Sequence, residues 1–183
     1  MIYHDAITGT FLGDVCFAAT EKGLCAVTVG NKKGARWEAR LRTMFPGEPL
    51  AKDPRRLAPY RRELEEYIAG TRIRFATPVD LRAVRGPFHR KVLRKLKGLP
   101  YGRLISYSEL AARAGSPRAA RAVGAAMAGN PLPIVIPCHR VIAAGGRLGG
   151  FSSGVSQKKR LLVHEGVEPT RAGLLNASRG ISK

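Results

Sequence analysis

The sequence predicts an α+β protein of two domains, an N-terminal antiparallel sheet with helices followed by a mainly helical C-terminal domain. Three observations carry this reading. Strand-length apolar stretches punctuated by turn residues fill the first thirty positions, helix-period stripes dominate thereafter, and the charge balance shifts near residue 85. With 183 residues and 44% hydrophobic content, the chain has apolar material for one substantial core or two small ones, which argues against disorder.

The opening segments Ile2 to Thr8, Phe11 to Ala19 and Leu24 to Val29 are separated by Thr8-Gly9-Thr10 and Glu21-Lys22-Gly23, so they form a small antiparallel meander. Lys33 to Phe45 is expected to be helical. So is Leu57 to Ala69, where Leu57, Tyr60, Leu64, Tyr67 and Ile68 recur near period 3.6 and Gly70 stops the helix. Pro46-Gly47-Glu48-Pro49 is a loop between them. Thr71 to Gly86 alternates short apolar groups with arginine, as a strand or an extended linker leading out of the first domain would. Gly86-Pro87 then opens a helix with proline in its first turn and Phe88, Val92, Leu93 and Leu96 as its apolar stripe. The expected units are 1–85, 86–170 and a C-terminal tail, 171–183.

The chain carries 32 Lys and Arg against 13 Asp and Glu, a net charge of +19. It is unevenly spread: about +5 lies in residues 1–85 and +14 beyond them. A positive field of that size suits an anionic polymer, and its distribution assigns the nucleic-acid face to the C-terminal part. No run of about 18 apolar residues is present, and Met1-Ile2-Tyr3-His4-Asp5 lacks the pattern of a secretory signal, so a cytoplasmic protein without a membrane partner is expected. Three cysteines, Cys16, Cys25 and Cys138, make an odd count without framework spacing, which disfavours a disulfide-stapled fold. Cys16 and Cys25 fall in strand segments as small buried hydrophobes.

Ser106-Tyr107-Ser108-Glu109 has the spacing of a capping box, predicting a short helix to about Ala114. Gly115 turns the chain, Ser116 is placed as a cap, and Pro117 is placed at the start of a second helix that ends at Gly129-Asn130-Pro131. Together they read as a helix-turn-helix. The second helix is rich in alanine, with Val123 and Met127 facing the core, while Arg118, Arg121, Ala122 and Ala125 share another face at i, i+3, i+4 spacing. Small residues with arginine suit close approach to a sugar-phosphate backbone, with affinity set by phosphates more than by base edges.

The strongest chemical signal is Pro131-Leu132-Pro133-Ile134-Val135-Ile136-Pro137-Cys138-His139-Arg140-Val141. Ile134-Val135-Ile136 reads as a short buried strand, with Cys138 emerging at its end behind the stiff Pro137. A cysteine reacts as its thiolate, and with an ordinary pKa near 8.5 it needs help to ionise, which a histidine can supply. Neighbours in extended backbone face opposite ways, so Cys138 and His139 require a local turn or a bridging water to cooperate. An acidic group should hold the other imidazole nitrogen, and only Glu165 and Glu168 are acidic after Glu109. A metal needs several ligands at suitable spacing; His4, Cys16, Cys25 and His89 lack it, so no metal site is expected.

Residues Phe88 to Gly166 resemble the O6-alkylguanine-DNA alkyltransferases, which move an alkyl group from damaged guanine onto a cysteine. The most specific element is Ile136-Pro137-Cys138-His139-Arg140-Val141. Ile105-Ser106-Tyr107, Arg121-Ala122-Val123-Gly124, Gly129-Asn130-Pro131, Ser152, Lys158 and His164-Glu165-Gly166 support it. The N-terminal part is similar to the family only in size and in its strand-rich opening. The resemblance implies a ribonuclease H-like first domain and a winged helix-turn-helix-like second domain carrying the active site. It also implies that Cys138 accepts the alkyl group, His139 acts as its base through water, Glu165 orients the imidazole, and Tyr107 donates to the departing guanine. Arg121 would fill the gap left by a flipped nucleotide, and the recognition helix, with Arg118, Ala122 and Ala125, would lie in the minor groove. Asn130 would stabilise the turn after that helix. Asn130, Pro133, Val141, Ser152, Ser153 and Lys158 would line or support the pocket.

The protein so implied is a single-use, cofactor-free monomer acting on double-stranded DNA that contains O6-alkylguanine, and with less support on O4-alkylthymine. Phe151 stands where some relatives have tyrosine and Ser153 where some have glycine, which bears on pocket width. Three readings compete. A non-catalytic damage sensor would lack the acceptor, a helix-turn-helix regulator leaves Cys138-His139 unexplained, and a cysteine hydrolase leaves the C-terminal charge unexplained.

Overall fold

The computed structural model describes residues 1–30 and 34–168. Lys33, where the first helix was expected to begin, and the 171–183 tail lie outside them. The chain divides into two compact units, one spanning Met1–Ala83 and one beginning at Val84.

In the first unit, β1 (Ile2–Thr10), β2 (Gly13–Thr20) and β3 (Gly23–Val29) form the expected meander, except that β1 runs through Thr8-Gly9-Thr10 and the first turn falls at Phe11-Leu12. Tyr3 pairs antiparallel with Ala19, and Val15 with Val29. β2 and β3 are buried along nearly their whole length, so they read as continuous apolar runs instead of alternating ones. α1 (Ala35–Met44) places Trp37 and Leu41 against Ile2, Cys16, Ala18, Cys25 and Ala26. Both cysteines are fully buried, and burial pushes the Cys25 thiol up to about 12.

Two further features depart from the predicted pattern. The sheet is not wholly antiparallel: β4 (Leu50–Ala51) adds parallel to β1, giving the order β3-β2-β1-β4. Two residues are too few to show a period, so the sequence pattern does not announce this strand. α2 (Pro54–Ile68) begins three residues before Leu57, because Pro54 suits a first turn and the Asp53 side chain accepts from the Arg56 amide. Thr71 to Gly86 contains only a bridge between Val79 and Leu24. It is tied down by Glu63, whose carboxylate accepts from the amides of Ala76 and Thr77 and the Thr77 hydroxyl. Gly23 sits there at φ +136 with the Pro78 carbonyl 2.5 Å from where a Cβ would stand, so no side chain fits.

The second unit is mainly helical. α3 (Pro87–Lys97) buries Val92, Leu93 and Leu96 as its stripe predicts. β5 (Ile105–Ser106) leads into α4 (Tyr107–Arg113), and α5 (Ala120–Ala128) follows after a turn. β6 (Val141–Ile142) pairs parallel with β5, and α6 (Val155–His164) closes the unit. The fold class read from the sequence therefore holds: an N-terminal sheet with helices and a C-terminal helical unit.

Locally, three expectations are corrected. Ser106 caps α4 by accepting from the Glu109 amide, but the Glu109 carboxylate bonds Arg113 one turn on, so the capping box is half made. Ser116 does not cap α5. Residues 116–119 form a separate turn, closed by the Ala119 amide on the Ser116 carbonyl, and the helix starts at Ala120. Arg118 thus lies before the helix and does not share its face. Finally, Ile134-Val135-Ile136 is buried but is a turn, not a strand.

Candidate active site

The turn that replaces the expected strand is what positions Cys138. Prolines at 131, 133 and 137 deny the segment the amides a strand would donate. The Ile136 amide instead bonds the Leu132 carbonyl at 2.8 Å, and Ile134 sits at φ +75. A β-branched residue in the left-handed region costs on the order of 1–3 kcal/mol, so the surroundings must hold it. Asn130 does much of that holding. Its Oδ1 accepts from the Leu132 amide at 3.0 Å, and its Nδ2 donates to the Ile136 carbonyl at 2.9 Å and to Cys138 Sγ at 3.1 Å. Asn130 is thus a brace behind Cys138.

Cys138, His139 and Arg140 form one 3-10 turn, closed by the Arg140 amide on the Pro137 carbonyl. The turn removes the extended-backbone geometry that would have sent neighbouring side chains to opposite faces. His139 is fully buried, with Nε2 2.8 Å from Glu165 Oε1. An ionised carboxylate only accepts, so this nitrogen carries the proton and Nδ1 presents its lone pair. Nδ1 has no protein hydrogen-bond partner. Glu165 follows the last turn of α6 and is 1% exposed, while Glu168, the other acidic candidate, is exposed.

Arg140 completes the cluster. Nε donates to Glu165 Oε2 at 2.7 Å and Nη2 to Oε1 at 2.8 Å, while Nη1 reaches the carbonyls of Leu99 and Pro100. The Gly102 amide adds another bond to Oε2. Burial alone would raise the Glu165 carboxyl, but His139 and Arg140 outweigh it and hold it well below the usual range. Arg140 is charged whatever His139 does, so the carboxylate stays ionised when the imidazole is neutral. Burial lowers His139 despite Glu165, which favours the neutral imidazole. Burial also raises the Cys138 thiol, opposed first by the Asn130 hydrogen bond and then by the Lys158 charge. Lys158 is fully buried, lowered by burial to about 8, and donates to the Val141 carbonyl at 2.6 Å and to the Leu148 carbonyl.

Cys138 opens onto a cavity of about 310 Å³ lined also by Tyr107, Gly124, Met127, Ala128, Gly150, Phe151 and Ser152. Tyr107, the first residue of α4, is half-buried. Its phenol is raised by burial and then by nearby Cys138, and the Gly149 backbone lies against its ring. Of the residues expected around a pocket, Ser152 lines the cavity. Asn130, Pro133, Val141 and Lys158 lie buried behind it, and Ser153 is half-exposed outside it. Gly124, Met127, Ala128 and Gly150 were missed, although Gly124 and Ala128 are one helical turn apart on an alanine-rich helix, a spacing that could have flagged them. Phe151 had been noted only for its bearing on width. Arg140 was missed as Glu165's partner, and nothing in its spacing announces that role. On the outer face Arg121 and Ala125 are exposed on α5 and Ala122 is half-buried, while Arg118 is exposed in the preceding turn.

Residues 87–167 match the family model described as 6-O-methylguanine DNA methyltransferase, DNA binding domain. Residues 3–81 match its ribonuclease-like domain, so the likeness extends well beyond the C-terminal motifs. The chain is 40% identical over 145 residues to the inducible methylated-DNA–protein-cysteine methyltransferase of Bacillus subtilis, covering 79% of this chain and 80% of that protein. It is 53% identical over 92 residues to the human methylated-DNA–protein-cysteine methyltransferase, a match spanning 50% of this chain and 44% of the human one. The crystal structure of Mycobacterium tuberculosis OGT in complex with DNA superposes with a TM-score of 0.75 at 32% identity, covering 90% of this chain and 93% of that one.

Proposed function

The chain belongs to the methylated-DNA–protein-cysteine methyltransferase family, and from that premise we propose that Cys138 is the residue its DNA repair reaction consumes. The observation that carries the assignment is the position of Cys138: its sulfur meets the cavity, Asn130 braces it at 3.1 Å, and a buried His139–Glu165–Arg140 cluster lies beside it. The substrate class is duplex DNA containing O6-alkylguanine. The oxygen bearing the alkyl group lies inside the duplex, so the nucleotide must be turned out before sulfur can approach the carbon from behind.

In the reaction the sulfur–carbon bond forms as the carbon–O6 bond breaks. The thiol proton passes through a water to His139 Nδ1, and the imidazolium is stabilised by Glu165, whose charge Arg140 keeps in place. Tyr107 donates its proton to the ring nitrogen of the departing guanine and regains one from solvent, into which His139 releases the thiol proton, so guanine carries a proton in place of the alkyl group. The products are guanine in DNA and a thioether at Cys138. A thioether has no low-energy route back to the thiol, so each molecule acts once. Arg121 occupies the space left in the stack, and α5 with Ala122 and Ala125 approaches the minor groove, with Arg118 on the adjoining backbone. We place this work in the cytoplasm; among the described residues no helix is long and apolar enough to cross a membrane.

A non-catalytic sensor is disfavoured because the family's named activity is transfer and the thiol is present. Intact mass after mixing with duplex DNA carrying O6-methylguanine tests the reading. One methyl group is expected, mapped to the Cys138 peptide; an unchanged mass in a folded preparation would sink it. Cys138→Ala should take up nothing yet bind DNA, with log affinity falling linearly in log salt.

A further inference from the structure

Gly124 is the only glycine inside an α-helix of the described residues. The rest of α5 is dominated by alanine, at 120, 122, 125, 126 and 128, and a glycine weakens a helix relative to alanine. The usual structural reasons for glycine are missing here. Gly124 is not at positive φ, and a Cβ built on it would meet nothing within 4 Å. Gly149 offers the contrast, because there a Cβ would touch the Tyr107 ring at 3.4 Å. Within the protein itself, then, alanine at 124 would fit and would strengthen the helix.

What sets position 124 apart is its place in the wall of the cavity that holds Cys138. At about 310 Å³ that cavity is at the lower end of sites that take small ligands (about 300–1,000 Å³), so a single methyl group in its wall is a real loss of room. Ala128, one turn further on, lines the same cavity with its methyl group in place, so along α5 the demand for space is confined to position 124. Arg121 and Ala125 are exposed on the outer face, whereas Gly124 is half-buried and lines the cavity.

We propose that Gly124 is a specificity-determining residue whose missing Cβ reserves room for the everted alkylguanine nucleotide as it enters beside Cys138. The proposal rests on Cys138 being the acceptor. Full-length Gly124→Ala tests it by three measurements alongside wild type: thermal melting, affinity for undamaged duplex, and single-turnover methyl uptake from duplex O6-methylguanine at saturating protein. The melting temperature should rise by about 1–4 °C, as expected for a glycine-to-alanine change in a helix of a protein this size. Affinity for undamaged duplex should stay within twofold, and the uptake rate should fall at least tenfold. An unchanged rate would overturn the proposal. So would an equal loss of affinity for undamaged duplex, which would place the glycine's role in seating the helix on DNA, and so would a lower melting temperature, which would make it structural. If wild type itself gained no methyl group, the acceptor assignment would fall first.

Discussion

Glu165→Gln keeps the shape of a buried side chain and removes its charge. In the wild type the carboxylate accepts hydrogen bonds from His139, twice from Arg140 and from the Gly102 amide, between 2.7 and 3.1 Å. A glutamine offers one accepting oxygen, and its amide group must face a donor. Arg140, 4% exposed, is left with its charge buried. Removing one partner of a buried pair costs about 3–5 kcal/mol, and the surviving oxygen contacts put this variant near the lower end. For a chain of this length each kcal/mol moves the melting temperature by about 2–4 °C, so a fall of about 6–12 °C is expected. The pH dependence has a definite sign. Since the native carboxyl is held below its unfolded value, its contribution is fully present above about pH 4.3 and is lost as pH falls toward the native pKa. Calorimetry should therefore find a constant gap between wild type and Glu165→Gln from neutral pH down to about 5, closing in stronger acid. The double variant Arg140→Met, Glu165→Gln removes both charges and should recover part of the loss. A shift under about 2 °C at neutral pH, or a gap unchanged in acid, would refute the argument that Glu165 is held as a buried, ion-paired anion.

Two further expectations concern the chemistry and the DNA face. Lys158→Met withdraws a buried cation that favours thiolate, so the pH profile for Cys138 modification by iodoacetamide should move to higher pH, with about a tenfold slower rate at pH 7 for each unit moved. An unmoved profile would confine Lys158 to tethering the Val141 and Leu148 carbonyls. Arg121→Ala should slow methyl uptake from duplex DNA by well over tenfold while sparing reaction with a free alkylated base, since only the duplex needs its gap filled; equal losses on both substrates would count against that role.

The elements legible in the sequence are those whose stabilising contacts are local or periodic. The meander and α3 declared themselves through apolar runs and a proline at a helix start, and only the first turn is displaced, to Phe11-Leu12, because β1 continues its pairing through Thr10. β4 was hidden because it exists only by pairing with β1, from which β2, β3 and α1 separate it in the chain. The start of α5 was misread for a related reason. Ser116-Pro117 has good helix-start chemistry, but the chain uses it for a separate turn, and only the following turn is helical. A local signal identified a boundary there without showing which of two adjacent structures it bounded.

The segment from Asn130 to Arg140 shows why the chemistry of a site can be read more readily than its geometry. Cys138, His139 and the scarcity of later carboxylates identify reactive partners from residue type alone. An apolar β-branched run such as Ile134-Val135-Ile136 satisfies the pattern of a buried strand, yet strands need amides to donate, and three prolines in seven residues supply too few. The chain resolves this conflict by folding the run into a turn with Ile134 at φ +75 and assigning Asn130 the bonds a neighbouring strand would have made. The same Asn130 amide touches Cys138 Sγ. Consequently the brace for a strained turn and the contact that favours a thiolate are one side chain. Arg140 has the same double character: it closes the 3-10 turn by its amide and fixes the charge of Glu165 by its guanidinium. The Cys138 thiol is thus placed by groups that also tune it, which is why its environment emerges only when backbone and side chains are considered together.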